Sequence, residues 1–146
     1  MIEFTSALTV RRPLADVFAF WANPDNIPRW QSGVIGYRRE TADPIGVGTV
    51  YVVTRKALGR QTETRGELTR FEEHQRVVES VKAGPASFTI DTRFAAVDAA
   101  TTRVTVETRI ELGGLLGKIG ERMAGRPIRK QAENDHDKIK QILERT

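Results

Sequence analysis

The chain contains no cysteine. That excludes disulfides, thiolate metal sites and cysteine nucleophiles, and it fits a reducing compartment. Histidine is nearly as scarce, with only His74, in an expected turn, and His136, in an expected helix. A three-ligand zinc site would need carboxylates to converge with them. Asp135, His136 and Asp137 are adjacent and so leave a helix in different directions, and no metal is expected. No stretch approaches the roughly 20 apolar residues of a membrane-spanning helix. Met1-Ile2-Glu3-Phe4-Thr5 lacks the basic region and apolar run of a signal peptide. The expectation is a cytoplasmic protein without integral membrane association. The glycine-rich stretch 113–125 has no Walker lysine, and Ser6, Ser32, Ser80 and Ser87 sit in no nucleophile elbow or triad. Net charge is +4, but the basic residues are dispersed among acids and no basic run is interleaved with aromatics. Nucleic acid is therefore not an expected partner, and no cofactor is expected.

What is present is a change of period. Leu14, Val17, Phe18 and Trp21 fall at i, i+3, i+4 and i+7 after Pro13, which predicts a short helix. Asp25 to Trp30 reads as a second short helix or turn. From Val34 onward the chain alternates: Val34–Glu40, Thr49–Leu58, Gln61–Phe71, Val77–Lys82, Phe88–Phe94 and Val104–Leu112 read as strands, after a first strand at Ile2–Val10. The last two carry the clearest signal. Phe88, Ile90, Phe94, Val104, Val106 and Ile110 share one face, with Arg93 and Glu107 on the other. The final segment returns to helical spacing, with Ile128, Ala132, His136, Ile139, Ile142 and Leu143 as a stripe. Arg129–Glu133 and Lys140–Glu144 are expected to pair across one turn. Gly125-Arg126-Pro127 predicts a break or kink, with Leu115–Ala124 a loosely helical approach that is either a connector or a mobile gate.

At 146 residues the chain reads as one domain, 1–146, with a single core. The element order predicts an α+β fold. A curved antiparallel sheet of about six to seven strands wraps around a long C-terminal helix, with two short helices after the first strand.

The run Val17-Phe18-Ala19-Phe20-Trp21-Ala22-Asn23-Pro24-Asp25-Asn26-Ile27-Pro28-Arg29-Trp30 resembles the N-terminal signature of the START-like, or Bet v 1-like (SRPBCC), superfamily. More narrowly it resembles the polyketide cyclase/dehydrase and lipid-transport group. Gly46-Val47-Gly48-Thr49, Gly66-Glu67-Leu68-Thr69-Arg70-Phe71 and Thr101-Thr102-Arg103-Val104-Thr105 resemble later parts of the same pattern, so the likeness runs along nearly the whole chain. Asn23 stands where the group more often has Asp, and His74 where proline is common. The resemblance implies the helix-grip fold with a deep apolar cavity; it does not imply one activity.

On that basis the expected role is binding or transport of a hydrophobic small molecule such as a lipid, polyketide or polycyclic metabolite. The alternatives are a cyclase/aromatase- or dehydratase-like enzyme using the same cavity, and a co-chaperone-type interaction module. Candidate ligand-binding residues are Phe18, Trp21, Trp30, Tyr51, Phe88, Ile90, Phe94, Val104, Val106, Met123, Ile128 and Ala132. No residue stands out as catalytic; Glu79, Tyr51 and His136 are the candidates, with Arg55 beside them. Glu79 either shares the face of Val77 and Val81 or is solvated, and the phase of Tyr51 is open. His136 lies at the flank of the helix stripe. The small side chains facing the helix predict a cavity on the order of several hundred cubic ångströms. It should have few polar groups and a mouth near Trp30 and the 113–125 approach. Monomer and homodimer are both compatible.

Overall fold

The computed structural model describes residues 1–57, 59–113 and 117–146. The elements follow as β1 (Ile2–Val10), α1 (Leu14–Trp21), a 3-10 turn (Pro24–Asn26), α2 (Ile27–Trp30), β2 (Val34–Arg39), β3 (Val50–Ala57), β4 (Arg60–Glu72), β5 (Arg76–Ala83), β6 (Ala86–Asp98), β7 (Thr101–Glu111) and α3 (Gly117–Glu144). The strands form one seven-stranded antiparallel sheet in the order β1-β7-β6-β5-β4-β3-β2. β1 and β2 are its two edges and do not pair, so the barrel is incomplete. Bulges between Val34 and Gly36, Leu68 and Arg70, and Ala96 and Asp98 bend the sheet, and α3 lies along β1.

Local chemistry explains the joints. Pro13 precedes α1, and Asn23 accepts a hydrogen bond from the Asp25 amide, which starts the 3-10 turn as an Asp would. The β5–β6 loop is only Gly84-Pro85, and Gly84 takes a φ of +58° there. His74 has a φ of +63° in the β4–β5 turn, a conformation closed to proline.

The strand phases of β6 and β7 follow the sequence. Phe94, Val104, Val106 and Ile110 are buried, Phe88 and Ile90 are half-buried on the same side, and Arg93 is exposed. The core divides into two clusters. The larger joins α1, α2 and the middle of the sheet to Ile139 and Leu143; the smaller is Ile2, Phe4 and Ile110, with Phe88, Leu112, Ile128 and Ala132 against it.

The C-terminal helix departs from expectation in two ways. It is one continuous helix from Gly117 to Glu144 with Pro127 inside it. Pro127 is exposed, as is Met123 one turn earlier, so the carbonyl that loses its donor lies on the solvent side. The expected gate, 115–124, falls partly outside the described residues, at 115 and 116; 117–124 are helical. In addition, Arg129 pairs with Glu133 at 3.4 Å, but Lys140 does not pair with Glu144 among the described residues. Lys140 donates to the Thr9 carbonyl, at 2.8 Å, and Glu144 takes the Arg11 amide, at 2.9 Å. Arg12 donates to the Leu143 carbonyl, at 2.8 Å, capping the helix end. Tertiary partners that fix the helix to β1 replace the local pair. Among the described residues no helix is long and apolar enough to cross a membrane.

Candidate functional site

The two core clusters do not meet across the concave side of the sheet. Between them and α3 lies a cavity of about 360 Å³. Its apolar wall combines Trp21, Ile27, Trp30, Val77 and Phe94 from the larger cluster with Phe4, Phe88, Ile128 and Ala132 from the smaller. Ile90, Val81, Ala22, Pro24 and Ala83 also belong to it.

The polar groups in the wall come in partnered sets. Tyr51 on β3 donates its hydroxyl to Glu79 Oε1 on β5 at 2.7 Å. Between them runs β4, where Gly66 is in register with both Tyr51 and Val81. The Tyr51 ring lies across that glycine: a Cβ on Gly66 would stand 2.2 Å from Tyr51 Cζ. No other residue leaves room for the tyrosine to reach the next strand. Tyr37, which donates to Asp25 Oδ1 at 2.6 Å, stacks on the Tyr51 ring with centroids 6.3 Å apart. Burial pushes the Glu79 carboxyl above its usual range, with the Tyr51 hydrogen bond acting in the opposite sense. Burial, followed by the charge of Glu79, raises the Tyr51 hydroxyl well above its ordinary value. Tyr51 is therefore the donor of the pair, and Glu79 is a carboxyl shifted toward its protonated form.

A second set centres on Arg55, also on β3. Its Nη1 donates to Thr64 Oγ1 at 2.8 Å, and its Nη2 to Gln31 Oε1 just beyond α2. On α3, Asp135 accepts the Ser32 hydroxyl at 2.6 Å, and burial moves its carboxyl upward. His136 is buried beside two indoles, with centroids 5.2 Å from Trp21 and 6.4 Å from Trp30. Loss of solvation lowers it to about 4, so at neutral pH it is uncharged. Its Nδ1 and Trp30 Nε1 are buried without a hydrogen-bond partner among the described residues, as is Ser6 Oγ. Ser6 and His136 line a smaller space of about 80 Å³ between β1 and α3. Among the described residues no three His, Cys, Asp or Glu side chains gather as a metal site.

Of the residues singled out in the sequence, Trp21, Trp30, Tyr51, Phe88, Ile90, Phe94, Ile128 and Ala132 line the cavity, as do Glu79, Arg55 and His136. Glu79 shares the inward face of Val77 and Val81, and Tyr51 points inward with Val53, which resolves both open phases. Four residues do not line it. Phe18 is packed edge-on against Phe71, His74 and Phe94. Val104 and Val106 are sealed in the larger cluster with Ile139 and Leu143; Thr108, further along β7, reaches the cavity instead. Met123 is 76% exposed, because that turn of α3 presents it to solvent. The wall is also more polar than expected, since Thr62, Thr64, Thr92, Thr108, Gln31, Gln131 and Asp135 join it. Thr62 and Thr64 share an alternating face with Leu68, and Asp135 falls three residues after Ala132 and four before Ile139. The spacing therefore contains all three, although their polarity argues against an inward position. Trp30 borders the cavity as expected; the mouth expected beside the 113–125 approach falls partly outside the described residues.

Known structures share this architecture. A START superfamily protein from Mycobacterium smegmatis superposes with a TM-score of 0.82 at 8% identity, covering 99% of each chain. Ara h 8.0201 gives 0.73 at 14%, covering 99% of this chain and 98% of its own. The di-domain ARO/CYC protein BexL, from the BE-7585A biosynthetic pathway, gives 0.77 at 15%, covering 97% of this chain and 46% of its own. At these identities the likeness is one of fold. No curated protein matches the chain. Residues 1–144 match the family described as polyketide cyclase / dehydrase and lipid transport, and the chain belongs to that family.

Proposed function

We propose that this protein binds a hydrophobic small molecule of aromatic or fused-ring size, bearing oxygen substituents, inside the helix grip. The observation that carries this reading is the cavity of about 360 Å³, whose aromatic and aliphatic wall is interrupted by convergent hydrogen-bonding groups. That volume lies in the range of small-molecule sites, and flat rigid side chains such as Trp21 and Phe94 suit flat ligands. An interior already filled by side chains would have favoured the interaction-module reading; this interior has room for a ring. Native mass spectrometry of protein from its own host, with a search for co-purified small molecules, tests the proposal. Recovery of ligand-free protein, together with failure to bind any neutral aromatic probe, would refute it.

A second reading is favoured by one observation. Tyr51 and Glu79 form a hydrogen-bonded acid–base pair in the cavity wall, with the carboxyl shifted toward neutral pH. Such a pair can take a proton from the carbon next to a carbonyl, or deliver one to a departing hydroxyl. This is the chemistry of cyclisation or dehydration. It predicts turnover of β-dicarbonyl or β-hydroxycarbonyl compounds that Glu79→Gln abolishes while probe binding persists. Equal turnover by Glu79→Gln would remove it.

A further inference from the structure

Among the described residues Arg55 is the arginine in the cavity wall. It lines the cavity, and burial lowers its guanidinium from the usual range. Both its hydrogen-bond partners, Thr64 Oγ1 and Gln31 Oε1, are neutral. Other arginines, such as Arg12, Arg39, Arg65, Arg70 and Arg76, sit within 4 Å of a carboxylate. Arg55 has no such ion pair among the described residues.

The two carboxyls of the same cavity do not supply it. Glu79 is held by Tyr51, and Asp135 by Ser32. Asp135 is near enough to act on Arg55 through space but forms no hydrogen bond or ion pair with it among the described residues. Tyr51 keeps its proton and His136 is neutral at pH 7. A guanidinium offers five N–H donors in a fixed fork, suited to a pair of anionic oxygens. Two of these donors are used within the chain. A charge in a partly desolvated wall, hydrogen-bonded only to neutral groups, gains from an anion that arrives with the ligand.

We propose that the ligand carries an acidic oxygen group — a carboxylate, a phenolate or the enolate of a β-dicarbonyl — and that Arg55 is the residue that receives it. The apolar body then lies toward Phe88, Ile128 and Ala132. This rests on the binding reading above, narrows it to one chemical class, and gives the ligand a direction.

The test uses two fluorescent probes of the same ring skeleton: 1-anilinonaphthalene-8-sulfonate, which is anionic, and N-phenyl-1-naphthylamine, which is neutral. The wild-type chain should bind the sulfonate at least tenfold more tightly. Arg55→Met should weaken the sulfonate at least tenfold and leave the amine within twofold. Arg55→Lys should recover part of the loss, since it keeps the charge but not the fork. Arg103→Met, on the outer face, controls for sulfonate held at surface arginines and should change neither constant. If neither probe binds wild type, the binding reading itself fails. If the amine binds but the sulfonate shows no advantage, the anion site is overturned while the cavity stands. The anion site is likewise overturned if Arg55→Met weakens both probes alike, or if Arg103→Met has the effect of Arg55→Met. Should Arg55→Met fail to fold, the wild-type ratio of the two constants and Arg55→Lys decide between these outcomes.

Discussion

Placing an alanine at position 66 tests the geometry of the site more sharply than any change to the polar residues. Gly66 has no left-handed φ, so its backbone would accept any residue. The obstacle is the Tyr51 ring, whose Cζ, Oη and Cε1 would lie 2.2, 2.4 and 2.7 Å from the new Cβ. None of these is a tolerable carbon contact, and the ring is only 4% exposed, so it has little freedom to retreat. Overpacking of this kind costs about 1–3 kcal/mol. Moving the ring also takes the hydroxyl off Glu79, which adds about 1–2 kcal/mol. Gly66→Ala should therefore destabilise by about 2–5 kcal/mol, a fall in Tm of roughly 5–15 °C for a chain of this size. Thermal and urea unfolding followed by circular dichroism would measure it. The decisive step is to repeat the substitution in a Tyr51→Ala background. There the obstruction is gone, and alanine should stabilise the strand by about 0.5–1 kcal/mol relative to glycine. A change of sign gives a coupling energy of several kcal/mol between two residues on adjacent strands. If Gly66→Ala costs the same in both backgrounds, the tyrosine is not why glycine stands there.

Other outcomes follow from the same wall. His136 has a folded value near 4 against an ordinary 6.5, because burial disfavours its charged form. The unfolded chain therefore takes up the proton first, so stability should be intact above pH 6.5 and fall by about 3 kcal/mol as pH drops to about 4. His136→Leu should flatten that slope; an imidazole midpoint near 6.5 by NMR would contradict the burial argument. Ala132 faces the cavity from α3, so Ala132→Trp should weaken a neutral aromatic probe more than tenfold while shifting Tm by only a few degrees. Val106→Trp should instead unfold the protein, since Val106 is sealed in the core; a folded Val106→Trp protein that no longer binds would reverse that assignment.

The sequence by itself determined the strands, the helical segments and their order, but not that α3 runs unbroken through Pro127. Period-two runs in 88–94 and 104–112 and the period-3.6 stripe after Ile128 set strand against helix, since only one phase of each puts the apolar residues on a common side. It also placed Phe88, Ile90, Phe94, Ile128 and Ala132 on the faces that border the cavity. Three things lay beyond it. Glu79 could be assigned to neither face, because its inward position depends on a hydroxyl supplied from β3, 28 residues away. Lys140 and Glu144 looked like a local pair but are held by β1 and the segment after it, because long-range partners were available on that side. The shape of the cavity depends on where two core clusters fail to meet, and a pattern of faces gives directions without distances. Gly66 shows the division most plainly. Its place in a strand is legible from its neighbours, but the reason for glycine there is the ring of Tyr51, which only the pairing of β3 with β4 brings across it.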